Sequence, residues 1–369
     1  MHSLKVLGLE SSCDDTAAAI VTISYEEKSS MKAFINSSIV FDQNLIHESF
    51  GGVVPELAAR AHTEKLDYCV ESALEKAQIN LKDIDVISVT SGPGLIGGVI
   101  SGVMFAKALA LGLKRPLIGV NHLAGHALTP RLTHAISFPY LILLVSGGHC
   151  QFLIVEGPSK YTRLGGTIDD APGEAFDKTA KILGLGYPGG PIIEKRAHEG
   201  DPLSYPLPKP LLNQNNCNMS FSGLKTALRR EVDKLKKIKG SLDDSDINNL
   251  CASFQKTIAD IFMYKSIKAM LLFDQMHPNS QKTIAIAGGV AANKMIGTLL
   301  MSCAKKLNFK MVIPEPNLCT DNAAMIAFAG AELYFENTYS DETLVPRPRW
   351  PLDNNAKALS GSGKKGRKS

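Results

Sequence analysis

One plan of local structure occurs twice along this chain of 369 residues, and it narrows the folds open to it more than any other feature. The apolar run Val6-Leu7-Gly8-Leu9-Glu10 leads into a short polar stretch, Ser11-Ser12-Cys13-Asp14-Asp15, and a second apolar run, 16–23, follows at once. Short apolar runs bounded by small or polar residues read as strand, turn and strand. A third strand is predicted near 33–40, and helical periodicity extends from about 54 to 77. Near the middle the layout returns: Leu141 to Val145, then Ser146-Gly147-Gly148-His149, then the apolar run 151–155. The two units share almost no residues, only the plan. Hairpins duplicated in this way, each followed by helices, predict an α/β chain of two similar lobes with a ligand cleft between them.

The turns carry a further message. Small residues let backbone N–H groups approach a phosphate closely. A third glycine turn, Ala287-Gly288-Gly289, lies between a strand-like run and the helical stretch that follows Asn293, a placement that favours an anion or a ribose edge. Taken singly, each such turn is also a common structural connection; the three together favour a nucleotide. The segment 168–178 carries four carboxylates, Asp169, Asp170, Glu174 and Asp177, and Tyr187-Pro188-Gly189-Gly190-Pro191 follows it. It reads either as an acid-decorated helix start with a Pro/Gly turn, or as a carboxylate for ribose hydroxyls beside a turn that admits the sugar.

In Asn121-His122-Leu123-Ala124-Gly125-His126 the two imidazoles stand at i and i+4, on one face of a helix and within reach of one metal ion. A zinc protease built on this spacing needs Glu directly after the first histidine as general base. Leu123 stands there, so the protease reading fails. Asp321, in Cys319-Thr320-Asp321-Asn322, precedes a helical run, where it is either an N-cap or a third metal ligand.

Charge and composition exclude several classes. Apolar residues make up 44% and charged residues 21%, an ordinary globular mix. The formal charge of +4 is concentrated in the tail, where Lys357, Lys364, Lys365, Arg367 and Lys368 face no acid, so the body is close to neutral. One local patch stands out: Lys225, Arg229, Arg230, Lys234, Lys236, Lys237 and Lys239 against only Glu231 and Asp233, either a solvated helix face or a phosphate-contacting one. Seven cysteines are scattered without a C-x-x-C pair, which suits a reducing compartment rather than a disulfide framework. Apolar patterning begins by Leu4, leaving no room for a signal peptide, and the apolar stretch 95–113 reads as a buried helix rather than a membrane span. A cytoplasmic protein with no membrane partner is expected.

These blocks, together with Gly51-Gly-Val-Val-Pro-Glu-Leu-Ala-Ala-Arg60, Ser91-Gly-Pro-Gly-Leu95, Ser220-Phe-Ser-Gly-Leu-Lys-Thr226 and Arg347-Pro-Arg-Trp-Pro351, resemble those of the large catalytic subunit of bacterial and organellar tRNA N6-adenosine threonylcarbamoyltransferases. The matches run in order from about residue 5 and leave only the tail uncovered. The resemblance implies an actin/Hsp70/sugar-kinase-like (ribonuclease H-like) fold. The first lobe is expected over 1–122, completed by the C-terminal helical segment 322–351; the second over 123–321; and 352–369 as a disordered basic tail. It implies transfer of the threonylcarbamoyl group of threonylcarbamoyl-adenylate to N6 of adenosine 37, in tRNAs reading codons that begin with A, with release of AMP. His122, His126 and Asp321 would hold one divalent ion per subunit, iron or zinc. Val145, Ser146, Gly147, Gly148 and His149 would wrap the phosphate and acyl part; Asp177, Gly190, Glu194 and Asn293 would hold the adenosine moiety. The family places functionally important acids at Asp14 and Asp15. Bacterial members use an inactive paralogue of the same fold and a P-loop ATPase helper, whereas organellar members act as homodimers.

Acyl transfer to a weakly nucleophilic aromatic amine needs a polarised carbonyl, a good leaving group and a route for the proton. Asp14 is the first candidate for assisting proton loss from N6, with its neighbour Asp15 able to serve. The alternative function is a non-catalytic nucleotide-binding partner subunit of the same fold; a sugar kinase would need no such metal triad. The family usually has Asp-Phe before Ser220, and Asn218-Met219 stand here, with small effects expected.

Overall fold

A computed structural model describes residues 2–25, 31–50, 52–145, 148–289, 293–340, 343–357 and 359. The chain runs through β1 (His2–Glu10), β2 (Asp15–Tyr25), β3 (Met31–Asp42), α1 (Asn44–His47), α2 (Pro55–Ala77), β4 (Val86–Gly92), α3 (Ile96–Leu113), β5 (Leu117–Asn121) and α4 (His122–His134). It continues with β6 (Tyr140–Val145), β7 (Cys150–Val155), β8 (Tyr161–Gly166), α5 (Pro172–Leu183), α6 (Gly189–Ala197), α7 (Ser222–Lys239) and α8 (Asp244–Met276). Then follow β9 (Thr283–Ala287), α9 (Lys294–Lys306), β10 (Lys310–Val312), α10 (Pro316–Cys319) and α11 (Ala323–Phe335). Contacts divide these into two units. The first is Met1–Ile136 with Gly157–Lys160 and Thr320–Asn354; the second is Ser137–Glu156 with Tyr161–Cys319 and Asn355–Ser369.

Each unit holds one five-stranded sheet, in the orders β3-β2-β1-β4-β5 and β10-β9-β6-β7-β8. The topology is the same. In each, the first three strands form an antiparallel meander, and the two later strands add in parallel on the other side of the first strand. The duplication read from the hairpins therefore extends to the whole sheet. It reflects strands that alternate with helical crossovers only after the meander is complete.

In the first unit, Leu7, Leu9, Ala18, Ile20, Ile87 and Val89 share one face of the sheet and pack with Leu66, Cys69 and Val70 of α2 and Val99, Val103 and Ala106 of α3. Helix α3 is long and apolar enough to cross a membrane, yet its Gly98, Val99, Gly102, Val103, Ala106 and Ala110 are buried against this core. The opposite face receives α11. A Cβ on Gly8 would meet the Ala323 carbonyl at 2.2 Å and the Ala327 nitrogen at 2.6 Å, so the alanine-rich helix lies directly on β1. Helix α4 packs on α11 and Arg131 bonds Glu332 at 2.7 Å, so the first unit runs to Ile136 where the sequence placed its end at residue 122.

The second unit's core joins Leu141, Leu143, Val145, Phe152 and Ile154 to helices α5 to α9, with Phe176 and Phe254 edge to face at 5.2 Å. The start of the stretch expected to be a disordered tail is held on this unit, because the Arg163 guanidinium donates to the Lys357 carbonyl. Residue 358 and residues 360–369, which carry the rest of that expectation, lie outside the described residues.

Candidate active site

Helix α4 begins at the histidine pair because Asn121 caps it. The Asn121 side-chain oxygen accepts from the Leu123 and Ala124 N–H groups at 2.9 and 3.4 Å. With the helix started there, His122 and His126 fall one turn apart on the same face, their ring centroids separated by 4.8 Å. Asp321 arrives from the loop before α11. The two readings of Asp321 are now separated: Asn322, not Asp321, is the cap, accepting from the Met325 N–H at 2.9 Å. The Asp321 carboxylate is thereby available to the histidines.

Its Oδ1 lies 3.0 Å from His126 Nε2 and 3.5 Å from His122 Nε2, and all three donor atoms fall within 4.8 Å of one another. Ligand atoms bound tetrahedrally at about 2.1 Å stand about 3.4 Å apart, so the spacing suits one ion. Both rings are buried, whereas 24% of the Asp321 side chain is exposed. Burial by itself would lower the His122 pKa and raise that of Asp321. The mutual attraction wins instead, holding His122 well above the usual imidazole range and Asp321 well below the usual carboxylate range. A divalent cation would replace the protons that now satisfy this carboxylate.

A residue that sequence reasoning passed over stands behind the pair. Glu10, buried at the end of β1, accepts from His122 Nδ1 at 2.9 Å, from the Ser12 N–H at 2.6 Å and from the Thr90 hydroxyl at 2.6 Å. With the Nδ1 proton held by Glu10, the lone pair of His122 belongs to Nε2, the nitrogen that faces Asp321. Glu10 lies 112 residues from His122 and reads in sequence as a strand end. No local pattern could have found it.

The β1–β2 turn runs beside this centre. The Ser12 carbonyl accepts from the Leu95 N–H at 2.7 Å, and the Ser11 hydroxyl donates to the Gly98 carbonyl at 3.0 Å, which pins the turn to the start of α3. Asp14 and Asp15 follow, both half-buried. Burial, then the negative charges of Asp321, Asp14, Asp42 and Glu10, push the Asp15 carboxyl up to about 7.

In the second unit the adenosine candidates are drawn together. Asp177 in α5 accepts from the Gly189 N–H at 2.8 Å, fixing the start of α6; Gly190 follows in the same turn with open space where a Cβ would stand. Glu194, one turn on, accepts from the Lys294 N–H at 2.8 Å. Asn293 caps α9 by accepting from the Ile296 N–H at 3.0 Å and donates to Gln255 Oε1 at 2.9 Å. Burial raises the Asp177 pKa against the opposing Gly189 hydrogen bond. Val145 ends β6, and Gly148 and His149 precede β7; Ser146 and Gly147 lie outside the described residues.

The sequence pattern that defines the tRNA N6-adenosine threonylcarbamoyltransferases matches residues 35–328. The chain belongs to this family. A member from Ruegeria sp. (strain TM1040) is 56% identical over 367 residues, covering 100% of this chain and 99% of its own length. One from Dinoroseobacter shibae (strain DSM 16493 / NCIMB 14021 / DFL 12) is 56% identical over 366 residues, covering 99% of each. Among solved structures, full-length HypF in the phosphate- and nucleotide-bound form aligns at a TM-score of 0.54 and 11% identity, over 92% of this chain and 56% of that one. HypF of T. kodakarensis aligns at 0.52 and 14%, over 92% and 48%. These two likenesses are of fold alone. The fold they share with this chain is a duplicated α/β one.

The departure from the family pattern at Asn218-Met219 is absorbed by the backbone. The Met219 N–H donates to the Gly166 carbonyl and its own carbonyl accepts from Ile168, both at 2.9 Å, with the side chain buried. The start of the following helix, α7, is held by Asp169, which accepts from the Phe221 and Ser222 N–H groups at 2.8 and 3.2 Å and from the hydroxyls of Ser220 and Ser222. Along α7, Leu224, Leu228 and Val232 face the core, so Arg229, Arg230, Lys236 and Lys237 are exposed on the other side. Lys239 does not belong with that set: it bonds Asp246 at 2.8 Å and ties α7 to the start of α8.

Proposed function

We propose that this chain transfers the threonylcarbamoyl group of threonylcarbamoyl-adenylate to N6 of adenosine 37 in tRNAs reading codons that begin with A. The observation that carries the reading is the convergence of His122, His126 and Asp321 within 4.8 Å, with Glu10 behind His122, in a chain of this family. The non-catalytic alternative finds no support, since a subunit without chemistry needs neither these donors nor a carboxylate fixing their tautomer. The protease alternative lacks its base, because Leu123 is an apolar residue buried in α4.

In the transfer, the bond from N6 to the carbamoyl carbon forms, the bond from that carbon to the phosphate oxygen breaks, and AMP leaves with the electron pair. When bound, the divalent ion, iron or zinc, supplies Lewis acidity and neutralises phosphate charge. His122, His126 and Asp321 would hold it, and Glu10, by keeping the proton on His122 Nδ1, would leave Nε2 as the nitrogen offered to the ion. The N6 proton goes to the acidic turn. The sequence reading favours Asp14; burial and the neighbouring carboxylates push the Asp15 carboxyl up to about 7 in the metal-free chain, which suits Asp15 as the acceptor, and we assign the proton to it. Asp14 then orients the amine. Val145 to His149 hold the phosphate and acyl part, and Asp177, Gly190, Glu194 and Asn293 hold the adenosine. The exposed cations of α7 contact tRNA phosphates. The family resemblance adds a paralogue of the same fold and a P-loop ATPase as partners. Seven free cysteines suit the reducing cytoplasm.

Reconstitution tests the reading. The metal-loaded chain, threonylcarbamoyl-adenylate and unmodified tRNA are combined with and without candidate partners, and the nucleoside is read by mass spectrometry. Modified adenosine 37 is expected; its absence in every combination would overturn the proposal.

A further inference from the structure

A buried chain of hydrogen bonds outside the metal centre ends on the acidic turn. The Val54 N–H donates to His47 Nδ1 at 3.3 Å, and His47 Nε2 donates to Gln43 Oε1 at 3.2 Å. Gln43 Nε2 donates to the Thr16 hydroxyl oxygen at 3.2 Å, and that hydroxyl donates to His62 Nδ1 at 2.8 Å. His62 Nε2 closes the chain on the Cys13 carbonyl at 3.1 Å. One donor order satisfies every member: it starts at a backbone N–H, finishes at a backbone carbonyl, and requires both rings to be neutral. Burial, the leading influence on His62, favours that neutral form. Thr16, Gln43, His47 and His62 are all buried. Space for the imidazole is made by α3, since a Cβ on Gly98 would stand 2.9 Å from the ring.

The Cys13 carbonyl belongs to the peptide unit that leads into Asp14. We propose that His62 is a positioning residue for transfer: by donating to the Cys13 carbonyl it sets the orientation in which Asp14 and Asp15 meet the reacting amine. The inference rests on the reading that this turn handles the amine and its proton. His62 acts through the turn and touches no substrate. Thr16 sets its tautomer, and Gln43 and His47 hold Thr16.

Cys13 reports the turn independently of activity, because it is half-buried while the other six cysteines are buried. His62→Gln places an amide donor where Nε2 stands, whereas His62→Leu removes it. In the full-length, metal-loaded enzyme, thiol labelling is measured with a small disulfide reagent and assigned by peptide mass, alongside single-turnover transfer and adenylate affinity. In His62→Leu, Cys13 labelling is expected to rise about tenfold, as local opening becomes easier. Transfer is expected to fall on the order of 10²-fold, with adenylate affinity unchanged. His62→Gln should return both toward wild type. Should His62→Leu not fold, Thr16→Val breaks the same chain one bond earlier and is read in the same way. Unchanged labelling in a folded His62→Leu, or no rescue by His62→Gln, overturns the proposal. Faster labelling with unchanged transfer overturns the part of His62 in transfer, whereas the reading that Asp14 and Asp15 act there falls only if Asp14→Asn and Asp15→Asn also leave transfer unchanged.

Discussion

Replacing Glu10 by Gln is the most discriminating perturbation of the metal centre, because it changes one atom and leaves the three donors in place. The Ser12 N–H points at Oε1 from 2.6 Å and cannot reverse, so the Gln carbonyl oxygen must take that position. The amide nitrogen then faces Thr90 and His122. The Thr90 hydroxyl can turn round and accept. His122 Nδ1 can accept only by moving its proton to Nε2, the nitrogen that faces Asp321. The other amide orientation leaves the buried Ser12 N–H without an acceptor, at a cost of about 1–3 kcal/mol. Either route weakens the ion's binding, and loss of a carboxylate behind a ligating histidine typically costs about 10–100-fold in affinity, or about 1.4–2.7 kcal/mol. Competition against a chelator of known affinity, with Zn2+ and Fe2+ in turn, measures the shift. His126→Ala, which removes a donor outright, sets the scale and should lose the ion almost entirely. If Glu10→Gln binds either ion within twofold of wild type while remaining folded, Glu10 does not set the His122 tautomer.

Two further outcomes follow from charge. With Asp15 near 7, the base form grows as pH rises, so single-turnover transfer should climb through neutrality along one ascending limb and lose that limb in Asp15→Asn. A cation on Asp321 removes one of the raising charges, so the midpoint of the loaded enzyme should lie at or below 7; a flat profile from pH 5 to 8 would exclude Asp15 as the proton acceptor. Converting Arg229 and Arg230 to Gln should weaken tRNA binding and reduce the log–log salt slope by roughly one unit per lost contact. An unchanged slope would make α7 only a solvated face.

The arrangement of the site was legible wherever the chemistry is local. His122 and His126 are four residues apart, and helical pitch alone places them on one face. Asn121 and Asn322 act as caps within three residues of the N–H groups they satisfy. The basic face of α7 follows from the spacing of Leu224, Leu228 and Val232. By contrast, Glu10 and His62 look like a strand end and a core histidine. Each gains its role from a partner brought by another element, His122 from α4 in one case and the Cys13 carbonyl from the β1–β2 turn in the other.

The hairpin plan repeated at residues 6–23 and 141–155 was enough to set the α/β class and the duplication, because strand alternation and turn chemistry are properties of neighbouring residues. Family membership was also carried by the order of short blocks. Tertiary structure alone decided that α4 stays with the first unit, that Lys239 pairs with Asp246 of α8, and that burial and neighbouring carboxylates raise the Asp15 carboxyl to about 7. The physical reason is shared. Burial and the field of charges from distant segments set these outcomes, and neither exists until the sheet has brought residues a hundred positions apart to within 3 Å.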